Sequence, residues 1–167
     1  MTMKEDLSRR SMEIRWPDGF APEEADLFAH NQLLINAPAE RIWQLLIEAN
    51  NWPDWYPNAK GVRIQDGGQT LQTDSSFSWT TFGLSIDSRV SEYEPYSRLT
   101  WQGFEKGGPP QFCHAWHIIP QGADCLVVTD ESAKGPLPKQ FRQADESVLN
   151  RGHEMWLAVL RWKAESK

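Results

Sequence analysis

The positions of apolar and polar residues change period three times along the chain. Residues 1–30 are polar, with Arg-Trp-Pro-Asp-Gly-Phe near the middle and no sustained period, and read as an N-terminal extension draped on the rest and pinned by Trp16 and Phe20. Gln32 to Ala37 suits a strand that Pro38 ends. Ala39 to Ala49 places apolar residues at 42, 43, 45, 46 and 47, one broad buried helical face, before Asn50-Asn51 stops it. The aromatic stretch Trp52-Pro53-Asp54-Trp55-Tyr56-Pro57 follows, and its prolines limit it to a turn or short helix. From about residue 60 to 133, β-type segments alternate with Gly- and Pro-containing turns, the pattern of an antiparallel meander. Lys139 to Ala164 returns to helical spacing, with Phe141, Val148, Leu149, Trp156, Val159 and Leu160 on one face, and predicts one long C-terminal helix.

The order β, α, short helical piece, about six strands, long α is satisfied by one antiparallel sheet with the long helix on its concave face. Alternation then assigns an inner face to each strand. It takes Phe77 and Trp79 from one strand, and Leu84, Ile86, Ser88, Val90 and Glu92 from the next. Trp101 and Gly103 follow, then Phe112, His114 and Trp116, and finally Thr129 and Glu131. A loop at Pro120–Ala123 pairs Trp116 with Val127, His114 with Thr129 and Phe112 with Glu131. A loop at Lys106–Gln111 sets Trp101 opposite Trp116 and Gly103 opposite His114, and one at Pro95–Arg98 sets Glu92 opposite Trp101. Arg89 and Arg98 fall on the outer phase.

The inner surface so built is aromatic with a sparse polar set, which describes a ligand site. Trp55, Tyr56, Phe77, Trp79, Ile86, Trp101, Phe112, Trp116 and Thr129 are its candidate ligand-binding residues, with Val148 and Trp156 from the helix. Trp52 is expected as a core plug, and Trp55 or Tyr56 nearer an entrance. His114, with Glu131 or Glu92, is the candidate acid-base set, able to abstract a proton alpha to a carbonyl and return it. The other reading is that His114 and Glu131 hydrogen-bond each other and tie strands together. His153 lies near the sheet-facing side of the helix, where it either joins the set or meets solvent.

Composition narrows the classes. The 167 residues suit a single domain, and 40% hydrophobic with 24% charged residues are globular values. No window approaches the roughly 18 unbroken apolar residues of a membrane span. The charged N-terminus lacks the apolar core of a signal peptide, so the cytoplasm is the expected location. A net charge of −6 with 17 dispersed basic residues argues against nucleic acid. His114 and His117, three apart on a strand, point to opposite faces, so no metal is expected there. Cys113 and Cys125 serve as small packing residues. Ser88 lies near His114 in this register but no nucleophile-elbow sequence surrounds it, and no phosphate loop is present, so no cofactor is expected.

The segments INAPAERIWQLLIEANNWPDWYPNAKGVRI (35–64), VSEYEPYSRLTWQG (90–103), HAWHIIP (114–120) and DESAKGPL (130–137) together resemble the polyketide cyclase/dehydrase-like branch of the START/Bet v 1-like superfamily. The resemblance implies an α+β helix-grip fold over residues 31–167: a curved seven-stranded antiparallel sheet around a long C-terminal helix, two short helices closing one end, and a hydrophobic cavity. The function it implies is binding of a small hydrophobic molecule, aromatic, polyketide- or lipid-like. A polyketide cyclase or dehydratase and a protein-interaction module are the alternatives, and a homodimer is left open.

Overall fold

The computed structural model describes residues 1–167. Seven antiparallel strands form one sheet: β1 (Leu27–Ile35), β2 (Lys60–Ile64), β3 (Ser76–Thr81), β4 (Leu84–Glu94), β5 (Arg98–Phe104), β6 (Phe112–Gln121) and β7 (Asp124–Ala133). Their order across the sheet is β1-β7-β6-β5-β4-β3-β2. Four α-helices accompany them: α1 (Met3–Arg9), α2 (Ala39–Ile47), α3 (Pro136–Ala144) and α4 (Val148–Glu165). A 3-10 turn over Ala49–Asp54 carries the Trp-Pro-Asp stretch. This is the expected helix-grip architecture, with α4 across the inner face of the sheet.

Several boundaries differ from the sequence reading. The first strand begins at Leu27 rather than Gln32, because Leu27 to His30 are buried on both faces and show no alternation. The C-terminal helix is broken into α3 and α4. At the break Asp145 accepts hydrogen bonds from the Ser147 backbone and hydroxyl and pairs with Arg151, a local turn that competes with helix. Those donors hold the Asp145 carboxyl well below the usual carboxylate range.

The hairpin β6–β7 turns on Gly122-Ala123 alone, so the strands run through Pro120 and the register moves by two residues. Trp116 faces Thr129, His114 faces Glu131 and Phe112 faces Ala133. Likewise Trp101 faces His114 and Gly103 faces Phe112. A slip of two keeps every side chain on its face, so the inner set survives. Glu92 is the exception. A bulge between Val90 and Glu92 sets Val90 opposite Trp101 and Glu92 opposite Thr100, and turns Glu92 to the outer face.

Five tryptophans fill the space between sheet and α4. Trp52 sits 5.1–5.7 Å, ring centre to ring centre, from Phe77, Trp79, Trp101 and Trp156. Trp156 also packs on Trp116 and stacks on Tyr56 at 4.3 Å. Trp52 donates its indole N–H to the Leu46 carbonyl, so the end of α2 fixes the ring.

Residues 1–26 are bound to the sheet. Trp16 packs edge-on against Phe28, and Phe20 is buried. The Ser11 N–H donates to Asp130 on β7, and Arg98 on β5 donates to the Glu13 carbonyl. Arg15 pairs with Glu92 and Glu94 on β4, so the segment crosses the outer face as a strap. Asp6 of α1 is buried against β1 and α4, accepting from the His30 N–H and from Asn150. Burial outweighs these bonds and pushes its carboxyl up.

Candidate functional site

The inner faces of β3 to β7 and the first turns of α4 enclose a narrow cavity of about 40 Å³. That is room for one or a few waters and not for a fused-ring molecule. Its floor is polar. His114 (β6), Glu131 (β7) and His153 (α4) meet there, at 3%, 7% and 1% exposure. Glu131 Oε1 lies 3.0 Å from His153 Nε2, and the two imidazoles face each other at 4.4 Å and 30°. His114 Nε2 is 2.6 Å from the Thr129 hydroxyl, so His114 and Glu131 do not tie to each other as the simpler sequence reading had it.

Of the residues the sequence singled out, Trp79, Ile86, Trp101, Phe112, His114, Glu131 and Trp156 line this cavity. Thr129 stands behind His114 as its hydrogen-bond partner. Phe77, Tyr56 and Trp116 belong to the solid core instead, Trp55 is buried without reaching the cavity, and Val148 is half-buried at the start of α4. Glu92 is on the far face of the sheet, paired with Arg15 and accepting from Thr100, so it cannot join His114. Ser88 lines the cavity but accepts from the Trp79 indole N–H and makes no nucleophile–base pair with His114. His117 faces outward toward Glu13, on the opposite face from His114. Both cysteines are free and buried, and burial pushes their thiols up.

The mouth is built from residues that were not among the candidate ligand-binding set, although Leu84 was placed on an inner face and Phe141 and Leu149 on the apolar face of the helix. Thr81, Phe82 and Leu84 come from the β3–β4 hairpin, Phe141 from α3 and Leu149 from α4. The hairpin turns on Phe82-Gly83 with φ of 51° and 75°, positive at both central positions as a tight hairpin demands. Asparagine or glycine is the usual first residue there; a bulky side chain at positive φ is strained. The Phe82 ring lies over Gly152, where a Cβ would come within 2.5 Å of it, and edge-on to His153 at 6.4 Å. Gly152 is thus the notch in α4 that admits the plug.

The aromatic turn holds this corner rather than forming an entrance. Asn58 accepts from the Phe82 N–H and donates to the Tyr56 hydroxyl, which donates to the Gly152 carbonyl. Burial of that phenol raises its pKa well above the ordinary value. Two signals could have located the mouth in the sequence: Phe-Gly between two strands, and a glycine inside a helix.

Burial, with a further contribution from neighbouring His153, drives the His114 pKa well below 6.5, so the ring is neutral at pH 7. The unfolded chain binds that proton near pH 6.5 while the folded chain resists it, so acid favours unfolding. Stability is expected to fall as pH drops below about 6.5, by up to about 1.4 kcal/mol per pH unit from this group. Urea midpoints measured between pH 5 and 7.5 should show that slope, and His114→Gln should flatten it; an unchanged slope would assign the acid sensitivity elsewhere.

The chain matches the family described as polyketide cyclase/dehydrase and lipid transport over residues 30–163. Among solved structures, hypothetical protein jhp0584 from Helicobacter pylori superposes with a TM-score of 0.84 at 24% identity, covering 93% of this chain and 98% of that one. The di-domain ARO/CYC StfQ from the steffimycin biosynthetic pathway has a TM-score of 0.65 at 16% identity, over 84% of this chain and 52% of that one. The Aha1 dimer from Colwellia psychrerythraea gives 0.62 at 17% identity, over 83% and 97%. At these identities the likenesses establish the fold. No curated protein matches the chain. No helix is long and apolar enough to cross a membrane.

Proposed function

The chain belongs to the polyketide cyclase/dehydrase and lipid transport family, and on that premise we propose that it binds a small molecule with an apolar ring system and one hydrogen-bonding group. The group meets Glu131, His153 and His114 on the floor, and the ring system lies among Leu84, Phe112 and Phe141 at the mouth. The observation that carries this reading is the plug. A 40 Å³ space admits no such ligand while Phe82 is seated, yet Phe82 is the residue held at a strained backbone angle over a glycine notch. The ring is only half-buried at a hairpin tip and can swing out about its own side-chain torsions, so opening surrenders only part of the packing of a core phenylalanine.

The test uses 2-naphthol, a fused ring with one hydroxyl, followed by quenching of the cavity tryptophans. Saturable binding is expected, with association accelerated at least about tenfold in Phe82→Ala and affinity lowered about tenfold in Glu131→Gln, a difference of roughly 1.4 kcal/mol. Quenching that stays linear in both wild type and Phe82→Ala would overturn the reading.

A second reading, general acid-base catalysis of cyclisation or dehydration, is favoured by one observation: a neutral imidazole and a carboxylate converge in a site from which bulk water is excluded. It requires that His114→Ala and Glu131→Gln abolish turnover of a poly-β-ketone while leaving its binding within about tenfold. Equal loss of both returns the site to binding alone.

A further inference from the structure

Two imidazoles and a carboxylate, drawn from three separate elements, converge at the bottom of the cavity. One ligating atom from each of His114, Glu131 and His153 can be chosen so that all lie within 4.8 Å of one another, and all three residues are buried. Ligands around a tetrahedral Zn²⁺, about 2.0–2.2 Å from each, stand roughly 3.4 Å apart, so the three side chains have about 1.4 Å or less to close in separation.

We propose that this trio is a binding site for a divalent first-row transition-metal ion such as Zn²⁺, with a fourth position open to the cavity. The hydrogen bonding around the trio points the same way. His114 spends Nε2 on the Thr129 hydroxyl, which fixes its ring and leaves Nδ1 as the atom for a ligand, the outer-sphere arrangement that metal-binding histidines use. His153 Nδ1 is buried without a hydrogen-bond partner, an uncompensated polar atom on a ring that is 1% exposed. Glu131 is buried with the His153 imidazole as its close polar partner, and an isolated carboxylate is costly to desolvate. An ion among them would meet both deficits at once.

Ring orientation sets what loading must do. The two imidazoles lie face to face, whereas an ion must lie near the plane of each ring it binds. Loading therefore turns His153 about its side-chain torsions and exchanges its contact with Glu131 for bonds to the ion. The Phe82 ring fills the notch at Gly152 and meets His153 edge-on, so the imidazole turns as that plug swings aside. The spacing His114–His117 could not suggest this site; its second histidine comes from α4.

This inference shares its three residues with the ligand reading, and the experiment keeps them apart by titrating metal without ligand. Chelator-treated full-length protein is titrated with ZnCl₂ by calorimetry at pH 7.5, and Co²⁺-loaded protein is examined for visible d–d absorption. One ion per chain is expected, with Kd below about 1 μM, a tetrahedral-type Co²⁺ spectrum, and affinity lowered at least about 100-fold in both His153→Ala and His114→Ala. Glu131→Gln, which keeps the shape, should weaken binding at least about tenfold; circular dichroism checks that each variant is folded. Absence of stoichiometric binding to the wild type, or binding that survives both histidine substitutions, would overturn the site. Zinc binding without 2-naphthol binding would retain this inference and remove the ligand reading; 2-naphthol binding to metal-free protein that takes no zinc would do the reverse.

Discussion

Trp156→Ala is expected to destabilise the protein by about 3–5 kcal/mol, the range for truncating a fully buried tryptophan. Trp156 is the ring on α4 through which the helix grips the sheet. It stacks on Tyr56 and touches Trp52, Trp79, Trp101, Trp116 and His114, at 1% exposure. Its neighbours are themselves large, locked rings held by a hydrogen bond to α2 and by one another, so the void cannot collapse and the upper part of the range applies. The indole N–H has no hydrogen-bond partner, so the loss is one of packing alone. Trp162, six residues on and 68% exposed, supplies the contrast: Trp162→Ala should stay within about 0.5 kcal/mol. For a domain of this size the difference corresponds to a fall in Tm of roughly 6–20 °C, read by far-UV circular dichroism on heating. A loss under about 1 kcal/mol for Trp156→Ala would mean that the ring cluster relaxes freely and that the cavity is far more plastic than described.

The second large effect lies on the opposite face of the sheet. Asp130 on β7 is fully buried, 2.6 Å from His30 Nδ1 through one oxygen and accepting the Ser11 N–H through the other. Asp130→Ala removes the acceptor they share and leaves the buried His30 Nδ1 and the half-buried Ser11 N–H without it, for a loss of roughly 3 kcal/mol. The strap is held at that point, so trypsin should cut after Arg10 and Arg15 much faster in the variant than in the wild type. Asp130→Asn, which can still accept from Ser11, should lose less. Arg15→Ala is the control: its ion pairs with Glu92 and Glu94 are largely solvated and should contribute under about 0.5 kcal/mol. If Asp130→Ala leaves cleavage at its wild-type rate, the strap is held by Trp16 and Phe20 instead.

These two faces show what was legible in the sequence. Period-two alternation placed Trp79, Trp101, His114 and Glu131 on the inner face, and helical periodicity put Trp156 with them. Alternation survives a slip of two residues, which is why wrong hairpin lengths at Pro120–Ala123 and Lys106–Gln111 did no harm to the set. It does not survive a bulge. The single extra residue after Val90 moved Glu92 from candidate base to strap partner, and nothing local in Val-Ser-Glu-Tyr announces it. Helical spacing put His153 near the sheet-facing side without choosing between the set and solvent, and the break that starts α4 hides in the Asp145 turn. The sequence also showed plenty of aromatic side chains for lining a cavity, whereas Phe77, Trp116 and Tyr56 are spent on filling it. Whether rings line or fill a space is a matter of how many converge on one point, which pattern along a strand does not reveal.

The strap has a consequence for biosynthesis. Asp6 is bonded to Asn150 and the Met3 N–H to Glu146, so residues at the N-terminal end find their partners only near the other end of the chain. During translation residues 3–15 leave the ribosome long before β4, β7 and α4 exist. Until then α1 has nothing to pack against, and it is too short to be stable alone. The native seat of α1 therefore cannot be completed before α4 is in place, and it is open only to a chain whose sheet and terminal helix are both in register.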